Sequence, residues 1–223
     1  MSRFTPNLGA LPAAQRRLWP ELAAIPGHFV LYGGTAIALR LGHRQSVDFD
    51  FFSSRRFTPD ELARTIPLLA NAPRLQSAAN TLTVSIERGG PVKLSFFGGL
   101  GIGRVGTPDQ TDDNCLWVAS LSDVAATKMA VIQQRAEKRD YLDVHAILQS
   151  GISLTHALGA AQAIYGEQFN PAITLKALAY FRDGDLPSLP PEVKAFLESE
   201  AVRLTDIPTL QRRSNNLACD DQF

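Results

Sequence analysis

Asp48 and Asp50 stand one residue apart in the run Ser46-Val47-Asp48-Phe49-Asp50-Phe51-Phe52, shortly after a Tyr32-Gly33-Gly34-Thr35 turn. In an extended strand alternate side chains share a face, so the two carboxylates and Phe52 point one way while Val47, Phe49 and Phe51 point the other. Carboxylates held that close repel and raise each other's pKa unless a proton or a cation lies between them. A hard divalent cation, Mg²⁺ (or Mn²⁺), suits such an oxygen pair. An isolated Asp-x-Asp more often marks a solvated edge strand, but Phe49, Phe51 and Phe52 make this one too apolar for an edge.

The residues just upstream fit the same chemistry. Thr35 to Leu41 are helix formers with apolar groups at Ile37, Ala38 and Leu41. Gly33 and Gly34 therefore read as a strand-to-helix turn whose free N–H groups and helix dipole would hold a phosphate, with Thr35 beside them. Arg40 and Arg44 lie between the glycines and the aspartates; they read either as surface arginines or, for Arg44, as a bidentate ligand of a triphosphate.

The elements that must position these groups follow from periodicity and capping signals. A helical arm is expected through Ala13 to Ala24, kinked or restarted at Pro20, and a buried strand from His28 to Tyr32. Thr58, Pro59 and Glu61 form a helix start with a capping box, and that helix should reach about Leu69. Thr81 to Glu87 and Val92 to Phe97 alternate as strands joined by Arg88-Gly89-Gly90. Gly98 to Gly106, rich in glycine, reads as a mobile loop near the site.

From Leu121 the pattern is helical. Ser122 caps a helix on which Leu121, Ala125, Lys128 and Ile132 share a stripe, so Lys128 either snorkels to the surface or projects inward to an anion. Asp140 and Asp143 lie one turn apart on the buried stripe of the next helix, which ends at Gly151, and at least one of them should meet a partner. Further helices begin at Ser153 and Asn170-Pro171, another covers Glu192 to Arg203, and the tail from Ser214 reads as loose.

Composition limits the classes open to the chain. Its 223 residues, 45% of them hydrophobic, are enough for a substantial core. Lys plus Arg equals Asp plus Glu at 22 each, so any RNA contact must be a local basic patch. Two cysteines, Cys115 and Cys219, match neither a disulfide framework nor a metal spacing, and no stretch has membrane length without charge. The expectation is a cytoplasmic protein with no membrane partner.

The order Gly33-Gly34-Thr35 followed by Asp48-x-Asp50 resembles the nucleotidyltransferase superfamily typified by DNA polymerase β. Leu121-Ser122-Asp123-Val124-Ala125-Ala126-Thr127-Lys128-Met129-Ala130, continuing to Arg139-Asp140-Tyr141-Leu142-Asp143-Val144, narrows the resemblance to the AbiEii/AbiGii toxin family. It spans roughly Phe29 to Leu148. The resemblance implies an α+β fold with a small mixed-sheet nucleotidyltransferase core and flanking helices; together with the helical pattern it gives a core with an N-terminal helical arm over residues 1–118 and a helical C-terminal region with a loose tail over 119–223. It further implies transfer of NMP from an NTP to an acceptor hydroxyl such as RNA or tRNA, in a toxin with a cognate antitoxin. In that reading Asp48 and Asp50 hold the metal. Gly33, Gly34, Thr35 and Arg44 cradle phosphate, Lys128 contacts the triphosphate, and Asp140 or Asp143 orients Lys128 or accepts the acceptor's proton.

One departure stands out. The superfamily usually supplies a third carboxylate from a strand beside the Asp-x-Asp strand, whereas the corresponding segment here, Val92-Lys93-Leu94-Ser95-Phe96, carries no acid. The alternative reading is a catalytically degenerate module of the same fold that binds nucleotide, RNA or a partner protein. A phosphatase of the haloacid-dehalogenase type fits less well, because Phe52 stands where its nucleophile loop has Thr or Val.

Overall fold

A computed structural model describes residues 2–219. The chain divides into two compact units: Met1–Ser120 together with the segment beginning at Ser214, and Leu121–Arg213.

In the first unit eight strands form one mixed sheet: β1 (Arg3–Phe4), β2 (Val30–Tyr32), β3 (Asp48–Phe52), β4 (Arg74–Ala78), β5 (Thr81–Glu87), β6 (Pro91–Phe97), β7 (Asp109–Thr111) and β8 (Trp117–Val118). Their order is β1-β7-β8-β2-β3-β6-β5-β4, with β3 antiparallel to β2 and parallel to β6. The Asp-x-Asp strand is thus central, and its apolar face lies in the core. Phe49 and Phe51 are fully buried, and Phe51 stacks on Phe96 at 5.1 Å between centroids. Burying each such ring stabilises by about 1.5–3 kcal/mol, and it fixes which face the aspartates take.

Three helices accompany the sheet: α1 (Ala13–Leu18), α2 (Gly33–Leu41) and α3 (Pro59–Thr65). α1 passes into a 3₁₀ turn, Trp19–Ala24, at Pro20, as expected for a residue without an N–H. The Thr58/Glu61 capping box is present. The helix stops earlier than its sequence reading, because Pro67 forces Ile66 into an extended conformation and leaves only the 3₁₀ turn Pro67–Leu69. Arg40, near the end of α2, donates to the Ala119 and Val118 carbonyls and pairs with Asp109 at 2.8 Å, a structural role for that arginine.

The second unit holds α4 (Leu121–Val131), α5 (Lys138–Gln149), α6 (Leu154–Tyr165), α7 (Pro171–Leu178) and α8 (Pro191–Val202). Ser153 and Asn170 cap α6 and α7, and Gly151 follows α5 with φ +101°. Ser122 differs from its sequence reading: it lies within the first turn of α4, its hydroxyl 2.9 Å from His156 Nε2 on α6.

Two further expectations are corrected within the first unit. The segment from Ser214 is not loose as far as Cys219. Leu217, Ala218 and Cys219 are buried, and Ser214 forms an antiparallel bridge with Arg104. The remainder of that expectation falls outside the described residues. The glycine-rich stretch is anchored by the same contact: Arg104 is the largest fully buried side chain, and its guanidinium donates to the carbonyls of Gly106, Asn216 and Ala218. No helix among the described residues is long and apolar enough to cross a membrane.

Candidate active site

The first unit carries the carboxylate pair. Register places Asp50 opposite Ser95 and Asp48 opposite Lys93. Continuing across the sheet, Thr83 faces Ser95 and Ser85 faces Lys93. Side chains opposite one another in adjacent strands share a face, so Asp48, Lys93 and Ser85 form one row and Asp50, Ser95 and Thr83 the next. Lys93 Nζ lies 3.2 Å from Asp48 Oδ2, which offsets part of the repulsion within the pair. Ser95 is buried. No group of three or more His, Cys, Asp or Glu among the described residues is placed to hold a metal.

Gly33 opens α2 directly against this pair. It sits at φ +70°, and a Cβ built on it would lie 2.8 Å from Asp50 Oδ2. Only glycine meets both demands, a left-handed backbone and close approach to a carboxylate. Gly33→Ala should therefore destabilise the protein by about 1–2 kcal/mol from the backbone alone and displace Asp50. A thermal melt beside a transfer assay reads both effects; wild-type values in both would show that the turn relaxes freely.

The other residues expected near the phosphate have the following protein contacts. Thr35 is buried, and its hydroxyl bonds the Asp48 carbonyl and the Ser46 hydroxyl, holding the start of β3 against α2. Arg44 is half-buried, and one guanidinium nitrogen donates to the Gln45 carbonyl at 2.9 Å.

The second unit carries a buried ionic cluster. Lys128 Nζ on α4 lies 2.6 Å from Asp140 Oδ1 and 2.7 Å from Asp143 Oδ2 on α5, and both carboxylates are fully buried. Arg135, from the segment linking those helices, donates to both oxygens of Asp140 at 2.7 and 3.2 Å. Both buried carboxylates thus meet a cation, as a buried charge requires, and the partly exposed Arg135 also reaches Glu137 at 3.5 Å. Burial acts to raise the Asp140 pKa, but the hydrogen bonds from Arg135 and the charge of Lys128 outweigh it and hold the carboxyl below its ordinary value. An ammonium has three donors, and two are engaged here. Arg135 was not singled out by its sequence; the signal available was its place five residues before Asp140, in a linker between two helices that carry opposite buried charges.

Two solved structures share this fold. MenT4, a nucleotidyltransferase toxin from Mycobacterium tuberculosis, superposes with a TM-score of 0.56 at 15% identity, over 86% of this chain and 82% of that one. A crystal structure described as that of a candidate nucleotidyltransferase from H. pylori gives a TM-score of 0.53 at 16% identity, over 83% and 89%. The architecture is that of a nucleotidyltransferase. Residues 18–212 match the profile of the family described as Nucleotidyl transferase AbiEii toxin, Type IV TA system. The chain belongs to the AbiEii nucleotidyltransferase toxin family, and with it to the transferases of nucleotidyl groups. An uncharacterised protein of Aquifex aeolicus (strain VF5) is 30% identical over 158 residues, 70% of this chain and 74% of that protein.

Proposed function

We propose that this toxin-family enzyme transfers a nucleoside monophosphate from an NTP to a hydroxyl of an RNA acceptor. The observation that carries the reading is the placing of Asp48 and Asp50 on one face of β3, with the glycine-opened start of α2 packed against Asp50. Two carboxylate side chains fit Mg²⁺, which is commonly bound through one or two carboxylates plus substrate phosphates and waters. Asp48 and Asp50 would hold it, and when bound it supplies Lewis-acid polarisation of the α-phosphate.

The remaining roles fall to the chain itself. The N–H groups at Gly33 and Gly34 receive phosphate oxygens at the positive end of α2. Lys93, beside Asp48 and partly exposed, offers a further cation on the same face. In the second unit Lys128, fixed by Asp140 and Asp143, is the candidate cation for the triphosphate. In the reaction the acceptor oxygen bonds the α-phosphorus, the bond to the β-phosphate oxygen breaks, and pyrophosphate leaves as the hydroxyl proton is lost. Family membership supports a cognate antitoxin as a partner, and two buried free thiols fit a reducing compartment such as the cytoplasm.

The test is incubation of the protein with total bacterial RNA and each labelled NTP, with Mg²⁺ and with EDTA. Label should enter RNA with at least one NTP in Mg²⁺ and disappear with EDTA; no incorporation from any NTP in Mg²⁺ or Mn²⁺ overturns the proposal. Ser95 opposite Asp50 favours one rival reading, a module that binds without transfer. That rival predicts NTP binding with no release of pyrophosphate.

A further inference from the structure

Tyr180 follows α7 and is about half exposed, at 49%. It stands in the wall of two neighbouring cavities of the second unit, of about 340 and 370 Å³. Both volumes suit a small organic ligand. The two cavities also have matching chemistry. The first adds Lys176, Asp183, Gln134 and Tyr141 to the Tyr180 wall, and the second adds Arg182, Glu198 and Phe181. Each therefore offers an aromatic surface, a carboxylate and a cation not engaged in an ion pair, Lys176 in the first and Arg182 in the second, and the first also has Arg135, which is held by Asp140.

Their partners elsewhere are few. Lys176 and Arg182 form no ion pair among the described residues, and neither the Tyr180 hydroxyl nor the Gln134 amide has a hydrogen-bond partner there. By contrast the floor is fixed: Tyr141 donates to the Ala177 carbonyl, and its ring meets Phe181 edge-on at 6.0 Å. An exposed aromatic between two clefts, each with its own unpaired cation, matches what a flexible polyanion of flat rings requires. Bases stack on the ring and phosphates meet the cations. The carboxylates do not suit phosphates, but they accept hydrogen bonds from exocyclic amino groups of bases.

We propose that this surface binds two successive nucleotides of a single-stranded nucleic acid, one on each side of Tyr180. Arg135 gives the site a position along the acceptor: it lines the first cavity while holding Asp140, the partner of Lys128. The strand is thereby led towards the ionic cluster, a step that rests on the function proposed above, whereas the binding itself does not.

The test uses the full chain and fluorescein-labelled dodecamers of mixed sequence, as single-stranded RNA, single-stranded DNA and RNA duplex, followed by anisotropy. Wild type and Asp50→Asn should bind a single strand alike and more tightly than the duplex, and the RNA and DNA arms identify which strand is preferred. Tyr180→Ala should weaken binding roughly tenfold or more, and Tyr180→Trp should restore it. Lys176→Ala and Arg182→Ala should each reduce the slope of log affinity against log salt by about 0.7, one phosphate contact apiece. Absence of strand binding, equal duplex binding, or wild-type affinity in Tyr180→Ala overturns the proposal. The catalytic reading is judged separately: transfer that survives Asp50→Asn refutes it without touching strand binding.

Discussion

Asp50→Asn is expected to lower nucleotidyl transfer by at least about a hundredfold, the scale of losing a preorganised charge at a reacting phosphate, with little change in melting temperature. The substitution keeps the shape of the side chain beside Gly33 and removes only charge. Asp48→Asn should slow transfer comparably but differ in stability. Its carboxylate pairs with Lys93 at 3.2 Å in a partly exposed setting, so the lost attraction, worth at most about 1 kcal/mol, offsets any relief of repulsion between the two aspartates. Pyrophosphate release at saturating Mg²⁺ measures the first effect and thermal denaturation the second. Wild-type turnover in either variant would remove that aspartate from the site.

Lys128→Met is expected to cost stability as well as activity. Reading Lys128 from its stripe alone left open a snorkelling surface residue, whose loss would barely move the melting temperature. Its ammonium instead bridges two carboxylates with no exposure to solvent. Removing one partner of a buried charge cluster typically costs about 3–5 kcal/mol, because the remaining charges lose their compensation. Asp140 keeps Arg135, and the charge that Lys128 leaves uncompensated is shared by the two carboxylates; Lys128→Met combined with Asp143→Asn should recover part of the stability but none of the transfer. Recovery of both would make the lysine purely structural. The same cluster sets an acid limit. Asp140 has its pKa lowered by folding, so its contribution is present above the unfolded value of about 4 and is lost as pH falls through the folded one. Unfolding of the second unit, followed by circular dichroism, should begin below that pH.

The parts of the fold legible in the sequence were those written in local chemistry. The alternation of Asp48 to Phe52 gave the central strand and its two faces, and the Thr58/Glu61 box gave the start of α3. The hairpin from Thr81 to Phe97 announced itself through alternation and a glycine turn. What escaped depended on neighbours distant in the chain. β4 has every side chain exposed, so no hydrophobic pattern marks it, and only its pairing with β5 makes it a strand. β7 and β8, of three and two residues, are too short to show a period. The hydroxyl of Thr35 gave no sign in the sequence of its bonds to the Asp48 carbonyl and the Ser46 hydroxyl, because both acceptors lie more than ten residues further along the chain. Arg135 and Arg104 were invisible for a common reason: a lone arginine in a loop carries no signal until its acceptors, Asp140 in one case and the carbonyls beyond Ser214 in the other, are known.

The burial of Leu217, Ala218 and Cys219 beside Arg104 makes the first unit discontinuous in the chain, with Leu121–Arg213 inserted between its two pieces. During translation, at roughly 5–20 residues per second, the ribosome must make the whole inserted unit before the segment that closes the first one exists. A chain released early therefore lacks two of the acceptors of the Arg104 guanidinium, at Asn216 and Ala218, together with the apolar cover of Leu217, Ala218 and Cys219, and the missing packing falls on the same unit that holds Asp48 and Asp50. For a member of a toxin family the order of synthesis thus acts as a completeness check: the carboxylate-bearing unit reaches full stability only after everything between Ser120 and Ser214 has been made.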